Sequence, residues 1–220
     1  MELIHTLYQP AGEDPFPTLL TLHGRGANAL DLLGLAPLIC GGKFLMICPQ
    51  GPLATPIGPG AVGYAWYPMS SMGGPPDVDT ILSSQEKLLN FLDECTKRYP
   101  IDPKKLALLG FSQGGVMAYS LALAYPERFA ALAVLSSWLP KELLPRLNVN
   151  DAVQSLPTLV QHGTLDQMIE IDRARSSLEQ LRTLRVPLTY REYDMGHEIG
   201  PRSLSELSTW LDEKVAKASI

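Results

Sequence analysis

Cysteine is scarce in this chain. Cys40, Cys48 and Cys95 are odd in number, widely spaced and free of any C-x-x-C pair, which excludes a disulfide framework and a cysteine zinc site and leaves each as a small core residue. Histidine is scarcer still relative to length, with only His5, His23, His162 and His197, and no His-carboxylate set has ligand spacing. A metal-dependent hydrolase is therefore not supported, and neither a metal nor another cofactor is expected. There is no run of Lys or Arg, and the net charge is -5, so nucleic acid or an anionic membrane surface is not expected as the main partner. No apolar run approaches the length of a membrane span, which argues against stable membrane insertion. The first ten residues lack a positive n-region, an apolar h-region and a small-residue cleavage site, so a reduced, cytoplasmic setting is the expectation.

What is present is a large apolar fraction. At 220 residues and 45% hydrophobic content the chain can bury one substantial core, and a single domain over residues 1–220 is expected. The chain is organised around the stretch from Lys105 to Ala124, an apolar run that breaks at Gly110 and resumes as an apolar segment too long for a strand. That pattern reads as strand, sharp turn, helix. At the turn stands Gly110-Phe111-Ser112-Gln113-Gly114, a G-x-S-x-G, in which a strained backbone would lift the Ser112 hydroxyl clear of the sheet edge. Glycine at 110 and 114 would let the strand and helix backbones approach closely.

The remaining elements alternate. Residues 2–8 read as an edge strand, followed by strands at 18–22, 43–48, 129–135, 158–161 and 187–193. Helices are expected over 28–39, over 78–98 behind an Asp77 cap, over 169–184, and over 203–217 with Ser203 and Glu206 as a capping box. Residues 49–76 are dense in Pro and Gly and carry Tyr64, Trp66, Tyr67, Met69 and Met72, which reads as a long loop walling a substrate site. Residues 138–156 read as a partial cover over one side of that site. Continuous apolar strands with helical spacers imply a mainly parallel sheet of about seven strands with helices on both faces.

A serine hydroxyl is a poor nucleophile and needs a base, which in turn needs a group to fix its tautomer. His197 lies in the loop between the last strand and the last helix, on the elbow's side of the sheet, and is the expected base. Asp166 follows the strand that ends at His162-Gly163 and fits the chain order Ser, acid, His; Asp194 is the alternative, but three residues before His197 it would have to fold back sharply. The oxyanion donors expected are the N–H of Gln113, which opens a helix, and the N–H of Arg25 in His23-Gly24-Arg25-Gly26. The Arg25 side chain reads equally as a solvent-facing charge or a carboxylate clamp. Trp66, Tyr67 and Ile169 are the candidates for an acyl pocket.

Taken together, residues 22–28 (LHGRGAN), 110–118 (GFSQGGVMA), 162–166 (HGTLD) and 196–199 (GHEI) resemble the phospholipase/carboxylesterase family of α/β-hydrolases along the whole chain. The resemblance implies an α/β-hydrolase fold without a large cap domain, and carries the family's nucleophile onto Ser112, its acid onto Asp166, its base onto His197 and its oxyanion donors onto Arg25 and Gln113. Thr164 and Met195 stand where many members carry an acidic or a small residue. The implied activity is hydrolysis of short- to medium-chain carboxylic esters, small molecules, through an acyl-enzyme. A thioesterase or lysophospholipase on the same groups is the alternative, and a catalytically silent binding protein for a small apolar ligand is the rival from another class. A homodimer through an apolar patch stays open.

Overall fold

The computed structural model describes residues 3–69 and 75–218; Met72 of the Pro- and Gly-rich segment lies outside the described residues. The elements run β1 (His5–Tyr8), β2 (Phe16–Leu22), β3 (Leu45–Pro49), β4 (Leu53–Gly58), β5 (Ala61–Ala65), α1 (Val78–Arg98), β6 (Ile101–Phe111), α2 (Gln113–Ala124), β7 (Ala131–Leu135), β8 (Thr158–Gly163), α3 (Ile171–Thr183), β9 (Leu188–Tyr193) and α4 (Pro201–Leu211). Seven strands form one sheet in the order β1-β3-β2-β6-β7-β8-β9. Every neighbouring pair is parallel except β1 with β3.

Side-chain alternation along β6 shows how the sheet is covered twice. Leu106 and Leu108 enter one core with Ile81, Leu88 and Leu92 of α1 and with the apolar residues of α2, whereas Ala107 and Leu109 enter a second core with Leu207, Trp210 and Leu211 of α4. Ala107, Ala131 and Ala133 share this second core with Leu109, Leu135, Leu159 and Trp210. Helix α2 is apolar around its circumference and is buried from Gln113 to Leu123, as a helix between a sheet and a further layer must be. Asp77 caps α1 by accepting from the Thr80 N–H at 3.1 Å. Each leucine fully buried in these cores contributes roughly 1.5–3 kcal/mol against its exposed state.

Three local expectations are corrected. The segment 28–39 forms no α-helix but turns and a short 3₁₀ stretch, Leu33–Leu38, because Gly34 and the N–H-less Pro37 fall within it. The last helix begins at Pro201, not Ser203; Pro201 takes the first helical position, Gly200 precedes it without a side-chain cap, and the capping box is absent. Ser203 Oγ donates instead to the Gly200 carbonyl at 2.9 Å, and Glu206 accepts from the Tyr193 hydroxyl at 2.9 Å. The third correction concerns residues 49–76, which are not a structureless loop. Strands β4 and β5 form an antiparallel hairpin outside the main sheet, and its second strand bonds to the loop after β2 through Gly26 N–H to Tyr64 O and Tyr64 N–H to Ala27 O, both 2.8 Å.

The loops after β2, β6, β7, β8 and β9 all leave the carboxyl edge of a parallel sheet, so they converge on one side. Their approach depends on missing side chains. A Cβ on Gly114 would stand 2.0 Å from the Leu22 carbonyl oxygen, and one on Gly110 would stand 2.3 Å from the Gly114 carbonyl oxygen. His23 ties the next layer together, since its buried ring donates from Nδ1 to the Gly24 carbonyl at 2.7 Å and accepts at Nε2 from the Gly51 N–H at 2.9 Å.

Substituting Gly114→Ala is expected to cost about 3 kcal/mol, because the obstructing atoms are backbone and cannot rotate away. A urea midpoint equal to that of the parent would show that the two backbones do not meet there. A second expectation concerns acid. Burial holds the His23 pKa below its ordinary value, so the unfolded chain binds the extra proton first, and the stability it carries is present above pH of about 6.5 and lost as pH falls toward the folded value. Stability should therefore decline below that pH by up to about 1.4 kcal/mol per unit from this residue. His23→Asn should flatten the slope, and an unchanged slope would mean that His23 titrates freely in the fold.

Candidate active site

Ser112 occupies the turn between β6 and α2 with φ 54° and ψ -120°, a conformation costly for any residue bearing a Cβ. The turn is held from three directions. Its N–H donates to the Leu135 carbonyl at 3.0 Å, and its carbonyl accepts from the Gly115 N–H at 2.9 Å and the Ser137 hydroxyl at 2.7 Å. The side chain is thereby presented at the carboxyl edge of β6. His197 comes from the loop after β9, and its Nε2 lies 2.9 Å from Ser112 Oγ. Its Nδ1 lies 2.8 Å from Asp166 Oδ2. Phe111 supports the imidazole with a ring centroid 5.0 Å away.

Asp166 is fixed by its own loop. Its side chain is fully buried, Oδ1 accepts the N–H groups of Met168 and Ile169 at 2.9 Å each, and Oδ2 is left to the histidine. Asp194, the alternative acid, makes no hydrogen bond to the imidazole. The two loops come together because Gly163 has no side chain: a Cβ there would meet the Met195 carbonyl oxygen at 2.2 Å. Backbone bonds lace them, Thr164 N–H to Tyr193 O at 2.8 Å and Leu165 N–H to Met195 O at 3.1 Å.

One neighbour was not anticipated. The buried His162 ring donates from Nε2 to the Ile169 carbonyl at 2.7 Å, with the same nitrogen 3.4 Å from Asp166 Oδ2. Burial lowers its pKa, so it stays neutral beside the carboxylate. A His-Gly pair ending a strand was visible in the sequence, but its contact with Asp166 needs the loop's curvature.

A cavity of about 460 Å³ opens over this serine, histidine and carboxylate series, lined by Arg25, Gln113, Tyr67, Met69, Trp138 and Ile169 among others. Among the described residues, the backbone N–H groups of Arg25 and Gln113 are spent on no other acceptor. The Gln113 side chain is engaged elsewhere, accepting from the Trp66 N–H at 2.8 Å and donating to the Tyr67 carbonyl at 2.7 Å. Tyr67 and Ile169 reach the cavity. Trp66, expected beside them, does not: its side chain is fully buried, and its indole N–H donates to the His23 carbonyl at 2.9 Å. A residue at the end of a hairpin strand next to a buried histidine packs inward, and the loop reading had hidden that strand. Trp138, the first residue of the segment expected to cover the site, lines the cavity, and so do Met168 and Arg173, which the sequence did not mark. Arg173 carries no signal beyond a charge in a helix's first turn.

Such a series lets an imidazole take a proton from a hydroxyl while a carboxylate balances the charge. Among the described residues no group of three or more His, Cys, Asp or Glu could hold a metal ion. No described helix is long and apolar enough to cross a membrane.

The fold is shared with solved structures: a carboxylesterase of Bacillus cereus at TM-score 0.82 and 21% identity, covering 96% of this chain and 94% of that one, and acyl-protein thioesterase 2 of Zea mays at TM-score 0.77 and 24% identity, covering 95% and 97%. Among sequence relatives, acyl-protein thioesterase 1 of Gibberella zeae is 26% identical over 230 residues, 96% of each chain. Carboxylesterase SOBER1 of Arabidopsis thaliana is 25% identical over 165 residues, 73% of this chain and 72% of that protein. The Phospholipase/Carboxylesterase family model matches residues 8–215, nearly the whole described fold, and the chain belongs to that family.

Proposed function

We propose that this protein is a serine carboxylesterase that cleaves short- to medium-chain esters through an acyl-enzyme. The observation that carries the reading is the hydrogen-bonded series from Ser112 Oγ to His197 Nε2 at 2.9 Å and from His197 Nδ1 to Asp166 Oδ2 at 2.8 Å. Ser112 attacks the ester carbonyl as His197 takes its proton, and Asp166 stabilises the imidazolium. The N–H groups of Gln113 and Arg25 receive the oxyanion, and Gln113 adds the positive end of the α2 dipole. The alcohol leaves with the proton from His197, and water then repeats the sequence to release the acid. Tyr67, Met69, Met168 and Ile169 offer apolar surface for the acyl chain.

A thioester substrate is the second reading, favoured by the relative from Gibberella zeae, whose name is acyl-protein thioesterase 1. The attacking groups would be the same, and only the leaving atom would differ. Parallel assays with an ester and a thioester of one acyl chain separate the two.

A fluorophosphonate probe should add once, on Ser112, as read by intact mass and peptide mapping, and the Ser112→Ala variant should take no label. A folded wild-type protein that neither labels nor turns over p-nitrophenyl esters from acetate to palmitate would overturn the esterase reading in favour of a binding protein. Asp166→Asn tests the acid separately. An asparagine can still accept the Met168 and Ile169 N–H groups, but it turns an N–H toward Nδ1 and forces the imidazole into the tautomer with a proton facing Ser112. Turnover should drop by about 10⁴ with the melting temperature little changed. A loss under about tenfold would move the acid's role to another carboxylate.

A further inference from the structure

The cavity over Ser112 holds a charge that the esterase chemistry does not use. Arg173, in the first turn of α3, lines it together with Trp138, and its guanidinium carbon sits 4.5 Å from the Trp138 ring centroid. Most surface arginines here are matched to acids, and its neighbour Arg175 binds Glu192 at 2.9 Å and Asp172 at 3.4 Å. Arg173 has no carboxylate partner among the described residues. A guanidinium over an indole is held in place by cation–π attraction and keeps its N–H groups available for an oxygen anion.

The same wall carries an unused donor. Tyr67 is 1% exposed, lines the cavity, and its hydroxyl is buried with no hydrogen-bond partner among the described residues. A buried hydroxyl left unpaired costs roughly 1–3 kcal/mol. Burial pushes the phenol's pKa upward, and Arg173 lies close enough for its charge to oppose that shift. The charged side chains that line the cavity are Arg25, Arg173 and Asp31, with the Asp166 carboxylate buried behind His197.

We propose that Arg173, braced by Trp138, forms an anion subsite, and that the preferred substrates are esters bearing an oxygen anion, a carboxylate or a phosphate, away from the bond that is cleaved. This rests on the esterase reading above and narrows its substrate class. Arg173 acts as a specificity residue; it does not touch the reacting atoms. The cleavage itself is ordinary ester hydrolysis, in which water supplies the hydroxyl to the acid and the proton to the alcohol.

The test compares matched pairs. One arm sets the half-methyl esters of glutaric, adipic and suberic acids against methyl esters of the monoacids of equal chain length, followed by pH-stat. The other sets a 1-acylglycerol 3-phosphate against the monoacylglycerol with the same chain. The readout is the anionic-to-neutral ratio of kcat/KM, which should fall about tenfold in Arg173→Gln, be partly kept in Arg173→Lys, and shrink in wild type at high salt. A fall in the first arm identifies a carboxylate substrate, a fall in the second a phosphate, and a fall in both an anion subsite indifferent to the source. A ratio unmoved by Arg173→Gln in both arms, with neutral esters still cleaved, would overturn the subsite and leave the esterase standing. Failure of the neutral esters together with absent fluorophosphonate labelling would remove the esterase reading itself, and the subsite proposal with it.

Discussion

The structure depends on backbone meeting backbone at the elbow. Gly114 lies so close to the Leu22 carbonyl, and Gly110 to Gly114, that no side chain fits between β2, β6 and α2. That closeness holds Ser112 at φ 54° and ψ -120°, a conformation that costs on the order of 1–3 kcal/mol and must be sustained by its surroundings. The buried α2 and the bonds from Leu135, Gly115 and Ser137 supply that support. The strain has a geometric result: the hydroxyl stands at the sheet edge, within 2.9 Å of His197 Nε2, directly before the first residue of a helix.

The second half of the site is built from two loops that cannot move independently. Gly163 lets the loop after β9 cross the end of β8, and backbone bonds from Thr164 and Leu165 fasten the crossing. Asp166 is oriented by N–H groups of its own loop, so its free oxygen is aimed before the histidine arrives. His162 stays neutral beneath it, its Nε2–H spent on the Ile169 carbonyl, and so adds no second charge beside the carboxylate. Preorganisation of this kind is what lets a small open site work without a large lid.

The hairpin outside the main sheet joins these parts to the cavity. Its pairing with Gly26 and Ala27 sets the loop that carries the Arg25 N–H, and the Gln113 side chain clamps residues 66–67 against α2. One side chain thus spans from the elbow to the wall and ties Tyr67 to the first residue of α2.

Patterns that are local in the chain were legible in the sequence. The apolar run, the G-x-S-x-G turn and the Asp77 cap each depend on neighbours in sequence, and so do the buried strands β2, β3, β6, β7 and β8; these specified the sheet, α1, α2 and the elbow. The order Ser112, Asp166, His197 followed from which residues end strands on one edge of a parallel sheet. Where competing local signals met, as at Pro37 and Pro201, the element shifted because proline's missing N–H outweighs apolar spacing. The hairpin was hidden because an exposed two-stranded ribbon needs no apolar alternation and tolerates Pro56. Only tertiary structure could turn Trp66 inward, bring His162 under Asp166, and set Arg173 over Trp138 beside Tyr67, because these contacts join residues far apart in the chain and are decided by how closely the backbones of β2, β6, β8 and their loops can approach.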